Sequence, residues 1–160
     1  MAHLGARITA ELSKFPRTWD GKKSILEMRK DGSAHWRQME WIGWFFHHLC
    51  DTRLNTIFRI PGESFRDGNV SFDGAAEGYN FDFKAHAWVT VAGKRKPSTV
   101  LNDKYSMDES VKKYGRHGLL LALLKCEYDK DDSFKVWHES IKGPTSDYVK
   151  EGISSGRRSR

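Results

Sequence analysis

The sequence predicts an α/β or α+β fold, a mixed central β-sheet flanked by helices, and three observations lead there. Apolar residues recur with a helical period between residues 36 and 51, the period changes to two from Leu54 onward, and a short capped helix separates the third strand from a fourth. The 160 residues, 38% hydrophobic and 12% aromatic, suffice for one domain with a real core, expected over 1–156 ahead of a basic tail at 157–160. No apolar run approaches the roughly 20 residues of a spanning helix, and six Trp, nine Phe and five Tyr exclude a disordered chain.

Taken in order, a first short helix is expected around Ile8–Lys14, stopped by Pro16, since a residue preceding proline is pushed out of the α region. Ile25–Asp51 reads as one or two helices, with a break at Asp31-Gly32-Ser33 and Ser33 as a candidate N-cap. Met39, Ile42, Phe46 and Leu49 fall on one helical face, widened by Trp41 and Phe45, while Glu40, Gly43, Trp44 and His47 share the neighbouring one. Leu54–Ile60, Val70–Asp73 and Gly78–Val91 read as strands, the first closed by Pro61-Gly62. Ser106-Met107-Asp108-Glu109 has capping-box spacing and Gly115 stands where a helix ends, giving a helix over Met107–Tyr114. Leu119–Tyr128 is a near-continuous apolar strand, expected to be buried on both faces, and Phe134–His138 returns after a polar turn.

The stretch richest in chemistry runs from Asp73 to His86. On a strand, residues two apart share a face, so Asn80, Asp82, Lys84 and His86 form a polar row opposite Phe81, Phe83 and Ala85. A solvated strand face gives the same alternation. Asp73 lies nine residues upstream of Asp82, and Glu77-Gly78 permits a tight reversal that sets Asp73 beside Asp82 and Lys84. Carboxylates converging on one point repel unless a cation lies between them, and hard oxygen donors suit Mg²⁺. A lysine on the same face can hold water or neutralise charge on a phosphate, so these parts suit metal-assisted phosphodiester hydrolysis.

Acid-x8-acid-x-Lys, following a helix and preceding a helix-strand unit, resembles the PD-(D/E)XK nuclease superfamily and, within it, type II restriction endonucleases. The resemblance spans residues 33–140, with Phe72 where the family name has Pro. It implies a restriction-endonuclease-like core in which Asp73, Asp82 and the backbone carbonyl of Phe83 bind catalytic Mg²⁺, with Mn²⁺ as a substitute. By the same resemblance Lys84 positions the attacking water and Glu40 serves a second ion or orients water. Asn80 and His86 then flank the site against phosphate or water. The activity implied is sequence-specific cleavage of double-stranded DNA by a homodimer. A structure-specific resolvase of the same superfamily and a noncatalytic nucleic-acid-binding domain are the alternatives.

Other clusters are weaker. Adjacent His47 and His48 on a helix point about 100 degrees apart and do not comfortably share an ion. Glu127, Asp129, Asp131 and Asp132 lack the Gly and closing Glu of a calcium loop. Cys50 and Cys126 show no metal-finger spacing, and the N-terminus lacks a signal-peptide pattern, so an intracellular, cytoplasmic protein is expected. Lys94, Arg95 and Lys96 form a basic patch suited to DNA phosphates, or a solvated hairpin tip. The net charge of +6 is uneven: residues 1–30 carry seven Lys/Arg against three Asp/Glu, 157–160 carry three Arg, and 31–156 carry 17 against 18. Basic ends and a nearly neutral middle suit a chain that grips a polyanion at its ends and holds carboxylates at its centre.

Overall fold

A computed structural model describes residues 2–38, 40–60, 72–89, 108, 111–113 and 115–125. Helices α1 (Ala2–Leu12), α2 (Gly21–Lys30) and α3 (Trp41–Arg53) precede strands β1 (Gly74–Ala76), β2 (Tyr79–Val89) and β3 (Arg116–Lys125). The sheet order is β1-β2-β3, antiparallel then parallel, and an isolated bridge from Arg59 to Ala75 extends it beyond β1. Helices with a mixed sheet give the α+β architecture that the change of period predicts. Among the described residues no helix is long and apolar enough to cross a membrane.

The helices form by ordinary local chemistry. Asp20 caps α2 by accepting the Lys23 N–H at 2.9 Å. Ser33 is a cap as expected, but of a short 3-10 turn, Ala34–Arg37, and α3 begins only after Glu40. Leu4 and Ile8 of α1, Ile25 and Met28 of α2, and Ile42, Phe45, Phe46 and Leu49 of α3 repeat at helical spacing and are all buried. They meet Phe81 and Phe83 of β2 in one core, so the helices cover a single face of the sheet.

Three strand expectations change. Of Val70–Asp73, the described residues Phe72 and Asp73 are not strand, and β1 begins just after them at Gly74. Leu54–Ile60 is not a strand apart from the Arg59 bridge: the Leu54 N–H donates to Cys50 and the Phe58 N–H to Leu54, extending the helix as turns. Leu54 and Phe58, four apart, are buried by that winding. β3 starts at Arg116, earlier than Leu119, and is buried on one face only. Leu120, Ala122 and Leu124 pack on the core, whereas Leu119, Leu121 and Leu123 are 37–51% exposed. An apolar run fixes strand identity but not which faces are covered. Val70, Ser71, Thr90, Val91, most of Met107–Tyr114, the acidic turn, Cys126, Phe134–His138 and the basic tail lie outside the described residues.

A tight turn and a close approach shape the sheet. Glu77 and Gly78 have φ of 49° and 79°, a two-residue hairpin turn whose twist suits the flanking strands. At Gly118, opposite Phe81 in the parallel register, a Cβ would meet the Phe81 ring at 2.4 Å, so only glycine fits.

Candidate active site

The hairpin positions Asp73. Gly74 pairs with Phe81, and the Asp73 N–H also donates to the Phe81 carbonyl at 2.7 Å, so two consecutive residues oppose one, as in a β-bulge. The bulge turns the Asp73 side chain along the strand edge. Its Oδ2 accepts the Phe83 N–H at 2.7 Å, in the place where the next backbone carbonyl of a regular ladder would stand. A carboxylate thus ends the hairpin at the middle residue of Asp82-Phe83-Lys84.

The other oxygen of Asp73 faces α3. His47 Nε2 lies 2.9 Å from Asp73 Oδ1, and His47 Nδ1 lies 3.6 Å from Asp51 Oδ2 one turn along the helix. The imidazole also meets the Phe83 ring edge-on at 5.7 Å. Burial alone would lower the His47 pKa, but hydrogen bonding and charge from Asp51 and Asp73 outweigh it and push it up to about 9. Burial works in the opposite sense on Asp73, yet His47, the Phe83 N–H and the Lys84 charge hold its carboxyl below the usual range. Asp73 and His47 are therefore an ion pair at neutral pH.

Asp82 occupies the opposite face of β2. Opposed residues of a parallel pair share a face, so Asn80, Asp82, Lys84 and His86 stand with His117, Leu119, Leu121 and Leu123 of β3. Asp82 is only 4% exposed and its Oδ2 lies 3.2 Å from His117 Nε2. Asn80, Lys84 and His86 are half-buried, on the face of the sheet away from the helices, where Leu119, Leu121 and Leu123 are exposed. Nε2 of His86 and Nδ1 of His117 are buried without a hydrogen-bond partner among the described residues.

Of the residues singled out in the sequence, Asp73 and Phe83 are joined by a hydrogen bond, whereas Asp82 and Lys84 share the other face of β2, so the expected placement of Asp73 beside Asp82 on one face is not seen. Glu40 lies apart. It is exposed at the start of α3, its carbonyl accepts the Gly43 and Trp44 N–H groups, and its side chain makes no capping hydrogen bond. His47, seven residues and about 10 Å further along the same helix face, is the residue of α3 that reaches Asp73. His48 points elsewhere, to Asp31, as the angular separation of adjacent helical residues requires. Lys94, Arg95 and Lys96 lie outside the described residues.

His47, Asp51 and His117 are site residues that the acid-x-Lys pattern does not announce. His47 and Asp51 do carry a signal, an i, i+4 pair on the helix face shared with Glu40. His117 meets Asp82 only through the β2–β3 register and leaves no local mark. Comparisons of the chain with protein-family models, with curated proteins and with solved structures find no match.

Proposed function

We propose that the chain is an Mg²⁺-dependent, sequence-specific endonuclease of double-stranded DNA, with the restriction-endonuclease-like organisation its motif resembles. One observation carries this proposal: Asp73, the residue before β1, is anchored to the backbone of Phe83 in Asp82-Phe83-Lys84, and the Lys84 charge helps hold its carboxyl below the usual range. Two carboxylates and a backbone carbonyl are hard oxygen donors, the kind Mg²⁺ takes, and Mn²⁺ accepts the same set. Asp73, Asp82 and the Phe83 carbonyl would hold the ion only if Asp73 left His47 and Asp82 left His117 to turn from opposite faces of β2 toward a common point at the strand edge; when bound, the ion would supply Lewis-acid polarisation of the phosphodiester and neutralise its charge.

The chain's own residues supply the rest. The Phe83 N–H fixes the rotamer of Asp73, and His47 holds its second oxygen from the helix side. His117 holds one oxygen of Asp82 on the other face. Lys84, half-buried next to these acids, places a positive charge where it can orient water and stabilise charge building on phosphate. Cleavage of both strands at a symmetric sequence calls for two such sites, hence a homodimer.

The test is incubation of the full chain with long unmethylated DNA in Mg²⁺. Discrete fragments are expected, and Asp82→Asn and Lys84→Met, both close in shape to the native side chains, should slow cleavage by about 100-fold or more. Wild-type cleavage by Asp82→Asn refutes the assignment. Four-way junctions cut in preference to linear duplex would indicate the resolvase. One observation favours a noncatalytic nucleic-acid-binding domain: each acid already has a histidine partner. Failure to cut any DNA with Mg²⁺ or Mn²⁺, together with no metal-induced thermal shift that depends on Asp73, would favour that alternative.

A further inference from the structure

A second group of ligand-bearing side chains lies where α2 meets α3. Glu27 and Asp31, four residues apart at the last turn and C-cap of α2, share one helix face. His48 approaches from α3 and brings Nε2 to 3.1 Å from Asp31 Oδ2. One carboxylate oxygen from each acid and one imidazole nitrogen all lie within 4.8 Å of one another.

The imidazole is fixed before any ligand arrives. Its side chain is 7% exposed, and its ring stacks with that of Phe45 at 6.3 Å. Orientation of a histidine by packing is what a ligand site needs. The acids are held less tightly. Glu27 meets Arg53 at 3.7 Å with both side chains 42% exposed, a surface pair of small worth.

Two carboxylates meet a helix C-terminus at this point, with Arg29, Lys30 and Arg53 as the basic residues nearby. A helix C-terminus carries partial negative charge, and carboxylates there oppose the dipole. Of the basic residues in the same turn, Arg29 lies over the Trp36 ring at 5.0 Å.

We propose that Glu27, Asp31 and His48 bind a divalent transition metal of the zinc class and so clasp α2 to α3. One imidazole nitrogen with two carboxylate oxygens is a donor set that Zn²⁺ accepts and Mg²⁺ does not favour. Zinc–ligand bonds of about 2.0–2.2 Å put tetrahedral donors roughly 3.4 Å apart. The His48–Asp31 separation already meets that spacing, and Glu27 closes the remainder by leaving Arg53. The site is independent of the proposed nuclease centre, since His47 and His48 leave α3 in different directions, one to Asp73 and the other to Asp31.

The experiment uses the full chain, stripped with chelator and titrated with Co²⁺ while its visible absorption is followed. One equivalent should produce ligand-field bands that Zn²⁺ abolishes and Mg²⁺ leaves in place, and Zn²⁺ should raise the melting temperature. Asp31→Asn and Glu27→Gln alter carboxylates that are not buried, so the fold is retained, and each should weaken Co²⁺ binding at least about tenfold. Glu11→Gln, a carboxylate change on α1 where Glu11 pairs with Lys14, should leave the titration unchanged. Absence of the bands in the wild type, binding indifferent to both carboxylate variants, or binding lost in Glu11→Gln would each overturn the site, whatever the outcome of the DNA-cleavage test.

Discussion

The His47–Asp73 pair makes a quantitative prediction about stability and pH. His47 titrates at about 9 in the folded chain and at the ordinary 6.5 once unfolded. Its contribution is therefore fully present below pH 6.5, declines as pH rises, and is lost above about 9. The difference corresponds to at most about 3 kcal/mol at 1.36 kcal/mol per pKa unit, reduced by screening because the side chain is a quarter exposed. Asp73 works in the opposite sense: its folded carboxyl is depressed, so its contribution is present above the ordinary carboxylate range and lost as pH falls through the folded value. The perturbation is His47→Gln, which keeps a hydrogen-bonding side chain and removes the titration. Urea unfolding of both proteins at intervals from pH 5.5 to 9.5 isolates the term, because all other groups cancel in the difference between the curves. The wild-type advantage should shrink by about 2–3 kcal/mol across that range, most steeply between 6.5 and 9. Parallel curves would refute the assignment of His47 as a cation held by Asp73 and Asp51.

Two further outcomes test the site and the core. Glu40→Gln should change cleavage less than tenfold, whereas Asp73→Asn should abolish it, because Glu40 is exposed at the start of α3 and His47 is the helix residue that meets Asp73; equal loss in the two variants would restore Glu40 to the site. Gly118→Ala should destabilise the fold by about 1–3 kcal/mol in urea unfolding, since its Cβ would enter the Phe81 ring; an unchanged midpoint would refute that packing.

What could be read from the residues follows how local each determinant is. The buried face of α3 and the alternation of β2 were legible because each is written in consecutive residues at a single period. The hairpin turn was legible in Glu77-Gly78 for the same reason. Leu54–Ile60 misled because its β-branched look competed with an i, i+4 burial of Leu54 and Phe58 that continues α3, and the helix-like turns won. The two histidine partners escaped because they depend on distant contacts. His47 is 26 residues from Asp73, and His117 is 35 from Asp82 across a parallel register that sequence does not fix. The motif marked the acids, while tertiary structure chose what faces them.

That choice bears on why the charges are there. A carboxylate as enclosed as Asp82 contributes little net stability, because desolvation offsets much of the attraction. Apolar residues of similar volume can replace such a buried charge at little cost to the fold, and Phe81 and Phe83 show apolar packing on the helix-covered face of the same strand. A requirement of folding therefore does not explain an acid on each side of Phe83 with a lysine beside it. The bulge at Asp73 adds to this, for it departs from a regular ladder to bring a side-chain oxygen, in place of a backbone one, to the Phe83 N–H. The bulge thus sets one carboxylate, Asp73, against the backbone of Phe83 on the α3 side while Asp82 stands on the other face. Under the proposed function, a bound ion would draw the two acids together, and phosphodiester hydrolysis is the chemistry that such paired acids and an adjacent lysine would supply.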